Sequence, residues 1–124
     1  MDTHTLLWWL VEPSRLSARA RRSVANRRNQ IWVSAATGWE ISIKHRLGKL
    51  PGIGRLATNL FQKIQVEGFE TVSMTFSHAC LAGSLTQADR DPFDRMLAAQ
   101  SLLENLQLVS ADPVFDQFGI ERIW

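Results

Sequence analysis

Short β-rich runs alternating with helical stretches predict an α/β sandwich around a mainly parallel sheet. The runs are Gln30–Ser34, Phe69–Met74, Leu106–Val109 and Glu121–Trp124. The chain has 124 residues, 45% of them apolar and 21% charged, which suits one globular domain over residues 1–124 with a sizeable core. No internal repeat, linker or low-complexity segment interrupts the alternation.

In chain order, Thr5-Leu6-Leu7-Trp8-Trp9-Leu10 is an apolar run ended by Glu12-Pro13, read as a short helix or turn entering the core. Ser14 or Ser17 caps a second helix from Leu16 to about Arg28, whose narrow stripe of Ala18, Val24 and Ala25 leaves most of it facing water. The strand at Gln30–Ser34 runs into a helix over Ala35–Leu47, where Trp39, Ile43 and Leu47 recur as a buried stripe and Gly48 terminates. Glu40 sits at the edge of that stripe, where it can pair with Lys44 on the surface. After the break at Leu50–Gly54, Arg55–Gln65 is read as one helix with Leu56, Leu60 and Ile64 aligned. Helices at Phe76–Leu85 and Pro92–Asn105 follow, then the strand at Leu106–Val109, a turn at Val114–Phe118 and the last strand.

Several function classes fall away. The single cysteine, Cys80, permits no internal disulfide, and its neighbours place it in a core-packed helix. His4, His45 and His78 stand in separate segments without metal-ligand spacing, and Gly48, Gly52 and Gly54 match neither phosphate-binding glycine pattern. No run is long enough to span a bilayer and no signal peptide is evident, so a cytoplasmic protein with no membrane partner is expected. Charge is uneven. Residues 1–63 carry 11 basic against 3 acidic residues, a net of +8, and residues 64–124 carry 3 against 9, a net of −6. A basic half can attract a polyanion while an acidic half holds cations, although a salt-bridged surface gives the same count.

The acidic stretch Asp89-Arg90-Asp91-Pro92-Phe93-Asp94-Arg95 is the centre of interest. Asp91 before Pro92 is a fitting helix N-cap, and Asp94 in the first turn suits the helix dipole, so acids here need no function by themselves. Their company matters more. Ligands in parallel sheets bind beyond the carboxyl ends of the strands. Asp112 follows a strand, Asp94 opens the helix leading to that strand, Glu40 lies on the helix after the Trp32 strand, and Asp2 precedes the first helix. Carboxylates brought together repel unless a cation joins them, and all-oxygen ligands favour Mg²⁺ or Mn²⁺, ions that serve phosphodiester chemistry by activating water.

Asp2-Thr3-His4-Thr5-Leu6-Leu7-Trp8-Trp9, Ser34-Ala35-Ala36-Thr37-Gly38-Trp39-Glu40-Ile41, Arg90-Asp91-Pro92-Phe93-Asp94-Arg95-Met96-Leu97-Ala98-Ala99-Gln100 and Ser110-Ala111-Asp112-Pro113 together resemble PIN-domain ribonucleases, especially VapC-type toxins of toxin–antitoxin pairs. The resemblance spans essentially the whole chain. It implies a three-layer α/β/α sandwich with a mainly parallel central sheet, and Mg²⁺- or Mn²⁺-dependent RNA cleavage by water attack. It assigns Asp2, Glu40, Asp94 and Asp112 to the family's acidic quartet, with Asp91 as a further metal ligand beside Asp2, Asp94 and Asp112. Thr3 is expected to support the first aspartate, and Asp116 to stand as an outer member of the cluster. Arg90 and Arg95 flank the acids, either orienting them or meeting an RNA phosphate. The implied partners are an RNA substrate, an inhibiting antitoxin and a second copy in a homodimer. Two departures stand out: Met1 alone precedes Asp2 where similar toxins have a central strand, and Ala88-Asp89 stands where close relatives have histidines.

Other residues have plainer readings beside functional ones. Arg19, Arg21, Arg22, Arg27 and Arg28 offer an RNA-backbone surface, or a solvated or partner-contacting helix face. Trp8 and Trp9 offer rings on which bases could stack, but are expected in the core or at a dimer surface, and Trp32 and Trp39 are expected in the core. The alternative function is a catalytically impaired PIN-like module that binds RNA or antitoxin. A phosphatase-like hydrolase with Asp2 as nucleophile lacks its second acid, since His4 stands two residues on.

Overall fold

Asp2 starts the chain's first helix: its side chain accepts from the Thr5 amide, and α1 (Thr3–Val11) buries Leu6 and Leu7. A computed structural model describes residues 1–124. A 3-10 turn at Pro13–Arg15 leads to α2 (Ala18–Ala25), capped by Ser17. This helix stops short of Arg28 because Asn26 turns extended and its side chain accepts from the Arg28 amide at 3.1 Å. β1 (Trp32–Ser34) runs directly into α3 (Ala35–Arg46), since Ser34 caps the helix by accepting from the Ala36 amide.

The helix expected over Arg55–Gln65 is two helices, α4 (Gly54–Thr58) and α5 (Leu60–Val66), because Asn59 leaves helical geometry at φ −115. Gly68, at φ +74, closes α5 and lets the Phe69 amide reach Ile64 O before β2 (Glu70–Val72). A residue with a side chain would be strained in that left-handed turn. α6 (Phe76–Ser84) begins with Thr75 and His78 capping one another, and buried His78 also meets Glu104 at 2.8 Å across to the end of α7 (Pro92–Leu103). The chain ends with β3 (Leu108–Val109), a 3-10 segment at Pro113–Phe118, and β4 (Arg122–Ile123).

The fold is α/β with short parallel strands, but they do not form one continuous sheet. β1 pairs with β2, and β3 pairs separately with β4, both in parallel. Between the two ladders runs a groove of about 550 Å³, floored by Ile31, Val72, Leu97, Leu108 and Ile123 among others. Met1 and Asp2 bridge it: the Met1 amine donates to Trp32 O (3.1 Å) and the Asp2 amide to Val109 O (3.0 Å). Those two bonds are made to both ladders at once, so the groove is one strand wide at that end. Burial drives the Met1 amine down to about 6, against the pull of Asp2. Extending the chain ahead of Met1 by about four alternating apolar residues should replace a desolvated amine by an amide and fill the groove. The expected gain in Tm is roughly 5 °C or more, read by thermal unfolding. A Gly-Ser extension of equal length giving the same gain would refute a role for the apolar floor.

The main core gathers Leu6, Leu7, Val24, Val33, Ile41, Ile64 and Phe69, and a smaller one gathers Leu97, Ala98, Leu108, Phe115 and Phe118. Two expectations about burial are corrected. α3 buries Ala36, Thr37, Glu40 and Ile41, which turns Trp39 (54% exposed) and Leu47 (52% exposed) toward solvent. Cys80 is exposed on α6, because Ala82 and His78 form that helix's buried side. Trp8 and Trp9 are half-buried, with Trp8 against Trp124 and beneath Arg15. The five arginines of and after α2 are all exposed.

Candidate active site

The acids come from four places brought to one edge: the start of α1, the middle of α3, the start of α7 and the turn after β3. Asp2 is buried, and both of its oxygens are held. Oδ1 accepts from the Thr5 amide at 2.7 Å, and Oδ2 accepts from the Ser110 hydroxyl. Ser110 Oγ in turn accepts from the Asp112 amide at 3.0 Å. Asp112 therefore sits one hydroxyl away from Asp2, while its own Oδ1 caps the 3-10 segment by accepting from Val114 N.

Glu40 is also buried, although it lies on a helix whose neighbouring tryptophan is not. Its Oε2 accepts from the Thr3 hydroxyl, and its Oε1 meets Lys44 Nζ at 2.5 Å. Thr3 thus supports Glu40 and not, as expected, Asp2; Ser110 holds that aspartate. The Glu40–Lys44 pair is likewise no surface contact, since Glu40 is within the protein and Lys44 is half-exposed.

Asp94 carries the clearest electrostatic signature. Its carboxyl is raised from 3.8 to about 7, first by burial and then by the charges of Asp91, Asp89, Glu40 and Asp112. Burial removes the water that would stabilise the anion, and like charges oppose its formation further. Asp91 caps α7 through bonds from the Phe93 and Asp94 amides, and Asp89 Oδ1 accepts from the Asp91 amide. Asp89 Oδ2 is buried without a partner. Asp89, the first acid of the stretch singled out in the sequence, adds its charge to those acting on Asp94.

Not every candidate joins the group. Asp116 faces away to Arg122, whose guanidinium contacts it at 2.7 and 2.9 Å and holds its carboxyl below the usual range. Arg122 also donates to Ser110 O at 3.2 Å, which ties β4 to the turn carrying Asp112. For Arg95 the contacts favour the orienting role of its two readings. Its guanidinium is taken up by the carbonyls of Ala82 (2.9 Å), Leu85, Gln87 (3.1 Å) and Asp89 (2.8 Å), so it shapes the acidic loop, whereas Arg90 is exposed. No three Asp, Glu, His or Cys side chains stand close enough together to hold one metal ion directly.

A cluster of carboxylates at the edge of short parallel strands, one of them starved of charge compensation, defines an acid-site α/β protein. The chain belongs to the PIN domain family, whose model matches residues 1–121. It is similar to the protein named Ribonuclease VapC22 from Mycobacterium tuberculosis (strain ATCC 25618 / H37Rv), at 28% identity over 115 residues, covering 90% of this chain and 85% of that protein. The resemblance to VapC-type PIN ribonucleases is thereby shown. No solved structure matches the chain. No helix is long and apolar enough to cross a membrane.

Proposed function

We propose that the protein is a metal-dependent endoribonuclease toxin, built on a three-layer sandwich and held in check by a cognate antitoxin. The observation that carries this reading is Asp94, whose half-buried carboxyl is kept from ionising first by burial and then by the charges of Asp91, Asp89, Glu40 and Asp112. Such a site calls for a cation, and its all-oxygen donors suit Mg²⁺ or Mn²⁺, which keep several waters and need few direct protein ligands. Asp94, Asp91, Asp112 and Asp2 are the residues we assign to hold it, in part through the ion's own waters since no three of them are close enough to bind it directly, with Glu40 completing the catalytic acids. When bound, the ion would activate water and offset charge on the scissile phosphate.

The chain's own residues do the rest. Ser110 and Thr5 fix Asp2, Thr3 and Lys44 fix Glu40, and the α7 N-terminus presents Asp94 with Asp91 beside it. Exposed Arg90 is the residue we assign to meet an RNA phosphate. In keeping with its family, the protein is proposed to act in the cytoplasm as a homodimer.

A second reading has its own support: a PIN-like module that binds RNA or antitoxin without cleaving. It is favoured by the engaged oxygens of Asp2 and the Glu40–Lys44 contact, which leave fewer oxygens ready for metal. A fluorogenic RNA assay separates the two. The nuclease reading expects cleavage with Mn²⁺ or Mg²⁺ that stops with EDTA and returns on adding metal. RNA binding with no cleavage at any metal concentration supports the module instead.

A further inference from the structure

On α3, adjacent residues reverse the usual order of burial. Glu40 is 6% exposed while Trp39 is 54% exposed. A helix serving packing alone would bury the indole and leave the carboxylate in water. Local rules broken in this way concentrate at functional sites. Trp39 is not an isolated surface aromatic either. Its ring packs edge-on against Phe93, with centroids 5.1 Å apart and planes at 73°, and Phe93 is half-buried at the first turn of α7. Each ring therefore directly precedes an acid of the cluster: Trp39 precedes Glu40, and Phe93 precedes Asp94. α3 packs against α7, and the ring contact between them brings these two residue pairs to the same side of the helix pair.

We propose that Trp39, braced by Phe93, is a stacking platform for a nucleobase of the RNA strand whose phosphodiester lies at the acids. This rests on the ribonuclease reading above. A base is the fitting occupant because the platform is continuous with the carboxylates and offers a ring face without hydrogen-bonding groups aimed at a specific base edge. Stacking of that kind is tolerant of sequence and is a recurrent means of holding single strands. Trp39 is then a substrate-positioning residue that selects for unpaired RNA, and Phe93 sets the angle of its ring.

The test measures binding of a fluorescein-labelled single-stranded RNA by anisotropy, using the full chain with Asp94→Asn so that no cleavage intervenes. Trp39→Ala in that background should raise Kd about 5-fold to 100-fold, while Trp39→Phe should hold it within about threefold. An abasic scan of the RNA should find one position that matters to the Trp39 protein and not to the Trp39→Ala protein, a coupling that a merely structural residue would not produce. In the cleaving protein, Trp39→Ala should raise KM with little change in kcat. Unchanged Kd, or no abasic position coupled to Trp39, overturns the platform. So does a Trp39→Ala effect confined to self-association in light scattering, which would assign the pair to a protein contact. Cleavage with unaltered KM in Trp39→Ala sinks the platform alone. A native chain that neither binds nor cleaves RNA with Mn²⁺ sinks the ribonuclease reading with it.

Discussion

Asp94→Asn is expected to abolish RNA cleavage, by about 100-fold or more, and to make the metal-free protein more stable at pH 8. Both effects come from one cause. The Asp94 carboxyl has an ordinary value of 3.8 and a folded value of about 7, so the fold holds its proton more tightly than the unfolded chain does. The stability from that proton is complete below about pH 4 and is lost as pH rises through about 7. Asparagine keeps the shape without the charge and escapes the loss. Thermal unfolding in EDTA should therefore show the two proteins close together near pH 4 and increasingly separated up to pH 8, with the variant higher. Adding Mn²⁺ at pH 8 should raise Tm of the parent and not of the variant. Equal Tm values at both pH extremes would mean that Asp94 is not crowded by like charges.

Arg95→Ala is expected to be among the most destabilising single changes in the chain, at roughly 3–5 kcal/mol. The guanidinium donates to four carbonyls, from Ala82, Leu85, Gln87 and Asp89, none of which belongs to a regular ladder. Its loss leaves charge-assisted bonds unmade at several half-buried groups together. Lysine should recover little, because one ammonium cannot span what a planar fork of donors reaches. Denaturant unfolding reads the stability directly. Arg90→Ala is the matched control: the residue is exposed, so Tm should hold while RNA affinity falls. A mild effect of Arg95→Ala on unfolding would restore it to the list of phosphate-contact candidates.

Features written in local chemistry were legible in the sequence. Asp91-Pro92 announces α7, Ser34 announces α3, and the acids Glu40, Asp94 and Asp112 are placed by following strands and helix starts. What escaped depends on partners distant in the chain. Arg95 looks like a surface cation until its carbonyls are seen, and Thr3 looks like a neighbour of Asp2 until its hydroxyl is found on Glu40. Asp116 lies four residues past Asp112, yet Arg122 draws it away. Asn59 divides a helix whose apolar spacing runs straight through it. On α3, the apolar period pointed to Trp39 as core, and the buried Glu40 overrode it. Asp2, Glu40, Asp94 and Asp112 remain, with Asp91, our proposed set; the structure adds Ser110, Lys44 and Asp89 to their surroundings.

The divided sheet gives the acids an unusual dependence on one another. Glu40 travels with the β1–β2 ladder and Asp112 with the β3–β4 ladder, and the main chain of Met1 and Asp2 is the bridge across the groove between them. Asp2 is thus both a member of the acidic group and the latch that keeps its two sides in register. Loss of that bridge would break the Asp2–Ser110 contact together with the link between the ladders, disarming the site while both ladders stay intact.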